Sequence, residues 1–88
     1  MISHEEYSDA EIAKAVGETL QALRKERNNM SQSAVYLASN IERNVYQKYD
    51  SGKVSSPKFA NLIRIAETMG ITPGHILDRA YEYLKQKK

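Results

Sequence analysis

Between Ser31 and Gly52 the chain has room for two helices of only about two turns each, separated by a single break at Asn40. Helices that short need neighbours to bury their backs, because two turns return little against the cost of nucleation. Ser31 is a good N-cap for the first, which should cover about Gln32–Ser39, with Val35 and Ala38 as its inward stripe and Met30 packing just before the cap. Asn40 tolerates the left-handed backbone that a tight turn between crossed helices needs. Ile41 then re-enters the core. Glu42 opens the second short helix, where its carboxylate favours the N-terminal dipole. Val45, Tyr46 and Tyr49 follow, and Gly52 supplies the stop.

The flanking segments offer the required cover. Ser8 and Glu11 have the spacing of a capping box, and Ile12, Val16, Leu20 and Leu23 recur at helical spacing with Ala13 alongside, down to about Arg27. Gly17 costs that helix about 1 kcal/mol relative to Ala, which points to a close helix crossing. Asn28-Asn29 ends it. After a polar loop, Ser51–Ser56, the pair Ser56-Pro57 reads as the N-cap and first residue of a fourth helix, with Phe59, Leu62, Ile63, Ile65, Ala66 and Met69 on its apolar face and Gly70 at its end. Thr72-Pro73 repeats the start signal for a fifth, with Ile76, Leu77, Ala80, Tyr81 and Leu84 inward or at a partner surface, and Lys85, Lys87 and Lys88 suited to a C-terminus. No stretch alternates like a strand and no segment repeats. The expectation is an all-α chain of five helices: residues 1–7 a mobile tail, residues 8–88 a single domain.

With 88 residues and 41% hydrophobic content the chain suits one small core. It has no cysteine, so there is no thiol nucleophile or zinc-thiolate site, and the sequence fits a reducing cytoplasm. No apolar run approaches the ~20 residues of a membrane span, and the acidic N-terminus does not read as a signal peptide. The net charge of +2 says little until it is divided. Residues 1–29 hold four Lys or Arg against six Asp or Glu, and residues 30–88 hold nine against five. The positive field therefore sits in the middle and C-terminal parts.

Two short helices joined by a tight turn, the second ending at a Gly-containing loop, describe a helix-turn-helix at residues 32–49. A helix fits the major groove, and its first turns reach base edges when the preceding helix braces it across the backbone. The run Met30-Ser31-Gln32, then Asn40-Ile41-Glu42-Arg43, Tyr46, Tyr49-Asp50-Ser51-Gly52-Lys53 and Pro57 resembles the Cro/C1-type (XRE-like) helix-turn-helix domain of phage repressors and bacterial regulators. The likeness covers about Gly17 to Leu77, and Ser39–Arg43 also looks like its counterpart in controller proteins of restriction–modification systems. It implies a five-helix, lambda-repressor-like fold with the helix at about 42–49 in the major groove. Departures are Tyr36, where the family has Ala between the two helices, Ser39 for a large aliphatic, Asn40 for Gly, Tyr46 for Ile or Val, and one extra residue between Arg24 and Met30. A ring at Tyr36 must tilt outward or open the interhelical contact, and the small Ser39 is a candidate compensation.

By resemblance, Arg43, Asn44, Gln47 and Lys48 would read bases, Arg suiting guanine and Asn adenine, with Val45 near a thymine methyl. Ser31 and Gln32 would hold a phosphate, and Lys53 and Lys58 would clamp the backbone. Asp50 would be a structural acid bonding loop amides or an arginine such as Arg24 or Arg64. Each has a plainer reading: a solvated helix face for the polar residues, and core for Tyr36, Tyr46 and Tyr49 in place of a stacking platform. His4 with Glu5 and Glu6 lacks the further ligands of a metal site, His75 suits a cap, and no nucleophile or acid pair offers catalysis. The expected activity is sequence-specific binding of double-stranded DNA by a regulator without cofactor, more a repressor than an activator and a homodimer through Tyr81, Tyr83 and Leu84. The same fold would also serve an antitoxin that binds a toxin, or a protein-interaction module without DNA binding.

Overall fold

The computed structural model describes residues 7–86. Among them lie five helices and no strand: α1 (Asp9–Glu26), α2 (Gln32–Ser39), α3 (Arg43–Asp50), α4 (Phe59–Thr68) and α5 (Pro73–Gln86). α1 packs on α3 and α5, α2 on α3 and α4, and α4 on α5, so each two-turn helix is braced by two others. Leu20, Leu23, Val35, Tyr46, Tyr49, Ile65 and Ile76 are the fully buried apolar centre, drawn from all five helices. The tail expected at residues 1–7 and the candidate cluster at His4 fall largely or wholly outside the described residues, as do Lys87 and Lys88.

Local chemistry sets most of the boundaries. Ser8 and Glu11 close the capping box, the Glu11 amide donating to Ser8 Oγ at 3.1 Å and the Ser8 amide to Glu11 Oε1 at 2.8 Å. Ser31 Oγ accepts the Ala34 amide at 3.1 Å, and Thr72 Oγ1 accepts that of His75 at 3.1 Å. Asn40 ends α2 at φ 57°. Asn28 and Asn29 take φ 60° and 55° in succession, which absorbs the extra residue after α1 in two left-handed steps that asparagine tolerates.

Four expectations need correction. α4 begins at Phe59 with Lys58 as N-cap, two residues later than the Ser56-Pro57 signal. The Tyr49 hydroxyl accepts the Lys58 amide at 2.7 Å and the Asn61 side-chain amide at 3.3 Å, and this tertiary tie holds Lys58 in an extended conformation. On α2 the inward partner of Val35 is Ser39, with Ala38 exposed. Ser39 Oγ donates to Val35 O at 2.7 Å, which satisfies the buried hydroxyl. Ile12, Phe59 and Ile63, expected inward, stand at the surface on the flanks of apolar stripes whose centres are buried, while Leu77 and Tyr81 are exposed, as the second of their two expected placements allows. Finally, α3 runs one residue past the expected Glu42–Tyr49, with Glu42 as an N-cap that makes no side-chain cap bond.

Two contacts fix α3 against α1. Gly17 lies against Gly52: a Cβ on Gly17 would stand 2.5 Å from Gly52 N and 2.7 Å from Gly52 Cα. Gly52 is itself left-handed at φ 77°, so the chain leaves α3 in a turn that lies flat on α1. Beside it, Asp50, 1% exposed, receives Arg24 in a two-pronged pair, Nε to Oδ1 at 2.9 Å and Nη2 to Oδ2 at 2.9 Å. Gln32 Nε2 donates to Oδ2 at 2.8 Å and Tyr46 Oη to Oδ1 at 3.0 Å. Arg24 Nη1 also reaches Met30 O at 3.0 Å, and Gln21 Nε2 donates to the Asp50 carbonyl at 2.7 Å. Burial works against the Arg24 charge, but the hydrogen bonds and charge of Asp50 outweigh it and raise its pKa. Burial, then the Asp50 charge and hydrogen bond, push the Tyr46 hydroxyl well above its ordinary value, so it stays a donor.

Gly17→Ala is expected to destabilise by about 1–3 kcal/mol despite the better helix propensity of Ala, because the opposing atoms are backbone. Arg24→Met is expected to cost about 3 kcal/mol by stranding the buried Asp50 carboxylate, and Arg24→Met with Asp50→Leu to recover much of that loss. Urea denaturation of the three variants checks both.

Candidate nucleic-acid interface

α3 has two chemically distinct faces. Tyr46, Tyr49 and Asp50 point inward and are buried, while Arg43, Asn44 and Lys48 are exposed and Gln47 is half-buried. This division follows from the period of the helix, since positions 46, 49 and 50 share one side and 44, 47 and 48 the other, while Arg43, seven residues before Asp50, lies at the boundary and is exposed as the first residue of α3.

The outward residues meet the start of α2. Gln32, Asn44, Gln47, Lys48 and Ser51 line one shallow concavity, so four of the expected contact residues come together on one surface. Arg43 is exposed at the first position of α3 and lies outside that concavity. Gln32 has a second duty: its amide is held on Asp50, which locks its rotamer at the N-terminus of α2. Ser31 stands exposed beside it with its hydroxyl engaged by the Ala34 amide and by Ser33 Oγ at 3.1 Å. The first-turn amides of α2 lack intrahelical acceptors, as at any helix start, and face the positive end of the helix dipole.

A second depression opens on the other side of Lys48, between the start of α3 and the loop to α4. Lys48, Lys58 and Arg64 line it together with Asn61 and one acid, Glu42, with Ile41, Val45 and Val54 as its apolar lining. Asn61 was not singled out from the sequence, and Arg64 was named only as a candidate partner of Asp50, a place that Arg24 takes, although the spacing Lys58, Asn61, Arg64 brings all three toward one side of the α4 start. Lys53 is exposed outside both depressions, its amide closing the end of α3 on Lys48 O at 2.9 Å. Across residues 42–64 the exposed cations are Arg43, Lys48, Lys53, Lys58 and Arg64, against Glu42 alone as an exposed acid, since Asp50 is buried on Arg24. The surface around α3 is thus cationic, with amide side chains at its centre.

The α2–α3 crossing accommodates Tyr36. Its ring is half-buried and leans on Tyr46, with centroids 6.4 Å apart and planes tilted by 46°. Tyr46 and Tyr49 are core residues whose hydroxyls are used internally, by Asp50 and by the α4 entry respectively. Among the described residues no group of three or more His, Asp or Glu side chains could hold a metal ion, and no helix is long and apolar enough to cross a membrane.

A family model described as Helix-turn-helix (HTH_3) matches residues 20–76, which takes in α2, α3, α4 and the turns between them. No curated protein and no solved structure matches the chain significantly. The matched segment is well over half of the 88 residues, and it holds every candidate contact residue. The chain belongs to the Cro/C1-type (XRE) helix-turn-helix family, a family of DNA-binding transcriptional regulatory domains.

Proposed function

We propose that the chain is a sequence-specific repressor that lays α3 in the major groove of duplex DNA and acts as a homodimer on a partly palindromic site. The observation that carries this reading is the outward face of α3: Asn44, Gln47 and Lys48 meet Gln32 on one open surface, Arg43 stands exposed beside them, and the exposed charges around them are five cations against one acid. Amide and guanidinium groups are what base edges demand, Arg donating to guanine O6 and N7 and Asn pairing with adenine N6 and N7. Gln32 and Ser31 at the start of α2, with Lys53 and Lys58 beyond α3, would hold phosphates on either side and set the register of the helix. A second copy doubles the readout and fixes half-site spacing at about 10 bp or a multiple of it.

The charge distribution favours this over a module that only binds protein, for which a neutral or acidic face would serve. Affinity for duplex should fall linearly with salt on logarithmic axes, and Lys53→Ala should lower the slope by about 0.9 without changing sequence preference. Arg43→Ala should cost about 1–3 kcal/mol and relax preference at one base pair. Fluorescence anisotropy titrations across salt and across single-base variants read all three quantities. Salt-insensitive binding would contradict the phosphate contacts, and an unchanged preference would remove Arg43 from the readout.

A further inference from the structure

Two residues of the segment that joins α3 to α4, Val54 and Ser55, line two depressions at once. One is the cationic depression beside Lys48, and the other is an apolar groove of about 230 Å³. Ile12 and Val16 of α1, Leu62 of α4 and Leu77 of α5 wall that groove together with the joining segment. Ile12 and Leu77 are 40% and 42% exposed, so it opens to solvent between aliphatic side chains. A cavity of roughly 150 Å³ lined by such side chains accepts a benzene ring, and the groove has room for one phenyl-sized body. Its polar lining has one sign. Among the described residues Asp9 is the one charged group that lines it, with the Ser55 hydroxyl as a further polar group. Asp9 is exposed at the first position of α1, and no described residue hydrogen-bonds or pairs with its carboxylate. An apolar slot lined by a free carboxylate favours a cation on a short apolar body and disfavours an anion of the same shape.

The joining segment is anchored at its ends and not between them. The Lys53 amide donates to Lys48 O at 2.9 Å and the Lys58 amide to Tyr49 Oη at 2.7 Å, while the amides of Val54, Ser55 and Ser56 meet no acceptor among the described residues. The anchors are the two lysines assigned above to phosphate, so an occupant resting on Val54 and Ser55 bears on both. We propose that the groove is a regulatory site for a small primary amine carrying a phenyl-sized apolar group, its ring against Ile12, Leu62 and Leu77 and its ammonium on Asp9, and that occupancy tightens duplex binding. Two effects act in that direction. The occupant orders the span between Lys53 and Lys58 before DNA has to, and it cancels one acid in the field that DNA meets. The coupling rests on the reading of the chain as a duplex binder, whereas the site stands on the groove alone.

The test is a titration of the full chain, without DNA, with phenethylamine and with phenylacetate as the probe of opposite charge. Methyl carbon–proton NMR spectra follow the groove, ionic strength is held constant, and circular dichroism melting controls for folding. Phenethylamine should shift the methyl signals of Ile12, Leu62 and Leu77 saturably, with a Kd of about 1 mM for so small a ligand, and phenylacetate should leave them in place. Asp9→Asn should weaken binding about threefold, as an exposed ion pair warrants. Leu77→Trp, which fills the groove, should abolish binding with melting unchanged. Saturating phenethylamine should tighten duplex binding about fivefold or more in fluorescence anisotropy, an effect lost in Leu77→Trp. The absence of saturable shifts, equal shifts from phenylacetate, or unchanged affinity in Asp9→Asn would overturn the site. Saturable binding that leaves duplex affinity unchanged or weakens it would overturn the regulatory coupling. Saturable, Asp9-dependent binding by a chain that binds no duplex would support the site while contradicting the DNA reading.

Discussion

The buried Asp50 carboxylate is the constraint on which the rest of the arrangement depends. A carboxyl side chain 1% exposed is tolerable only if its oxygens are filled, and here both are: Arg24 from α1 donates one hydrogen bond to each, Gln32 from α2 donates a second to one oxygen, and Tyr46 from α3 donates a second to the other. Three helices thereby meet at one group. Neither α2 nor α3 is long enough to hold its own shape or angle, so their relative placement is a tertiary property, and the carboxylate gives it direction where apolar packing alone would leave it loose. The Gly17–Gly52 contact complements this by setting the depth: backbone meets backbone, and no side chain intervenes to be repacked.

The surface proposed for binding follows from that anchorage. Because Asp50, Tyr49 and Tyr46 are spent on the interior, the opposite side of α3 carries only groups that reach outward, and Gln32 is locked beside them by the same carboxylate. A residue that both braces the fold and stands at the contact surface is well placed to keep the register of the surrounding side chains, since its rotamer is settled before any ligand arrives. Lys48 lies where the two depressions meet, shared by the amide-lined concavity and the cationic one.

Much of this was legible in the sequence because it is local. Capping at Ser8, Ser31 and Thr72 and the left-handed turn at Asn40 depend on groups within four residues, and the structure repeats them. Gly17 announced a close crossing by sitting in a helix that it weakens. What was not legible depends on distant partners. The start of α4 moved because the Tyr49 hydroxyl, nine residues upstream, captures the Lys58 amide. The side chain of Gln32 went to an acceptor 18 residues away. Apolar periodicity located the stripes on α1, α4 and α5 but not which flank a neighbour covers, so Ile12, Phe59 and Ile63 were assigned inward and stand outside. Tyr36 illustrates the same limit: its ring fits the α2–α3 crossing by leaning on Tyr46, a contact that no local rule supplies.

The central claim is that the outward face of α3 reads duplex sequence. Selection of bound fragments from a random duplex pool with the full chain tests it most directly, because the enriched sequences report both specificity and symmetry. The account predicts an inverted pair of short half-sites whose centres lie about 10 bp or a multiple of it apart, with guanine or adenine at the positions facing Arg43 and Asn44. A pool that emerges without enrichment, or with binding equal for all sequences, would contradict it.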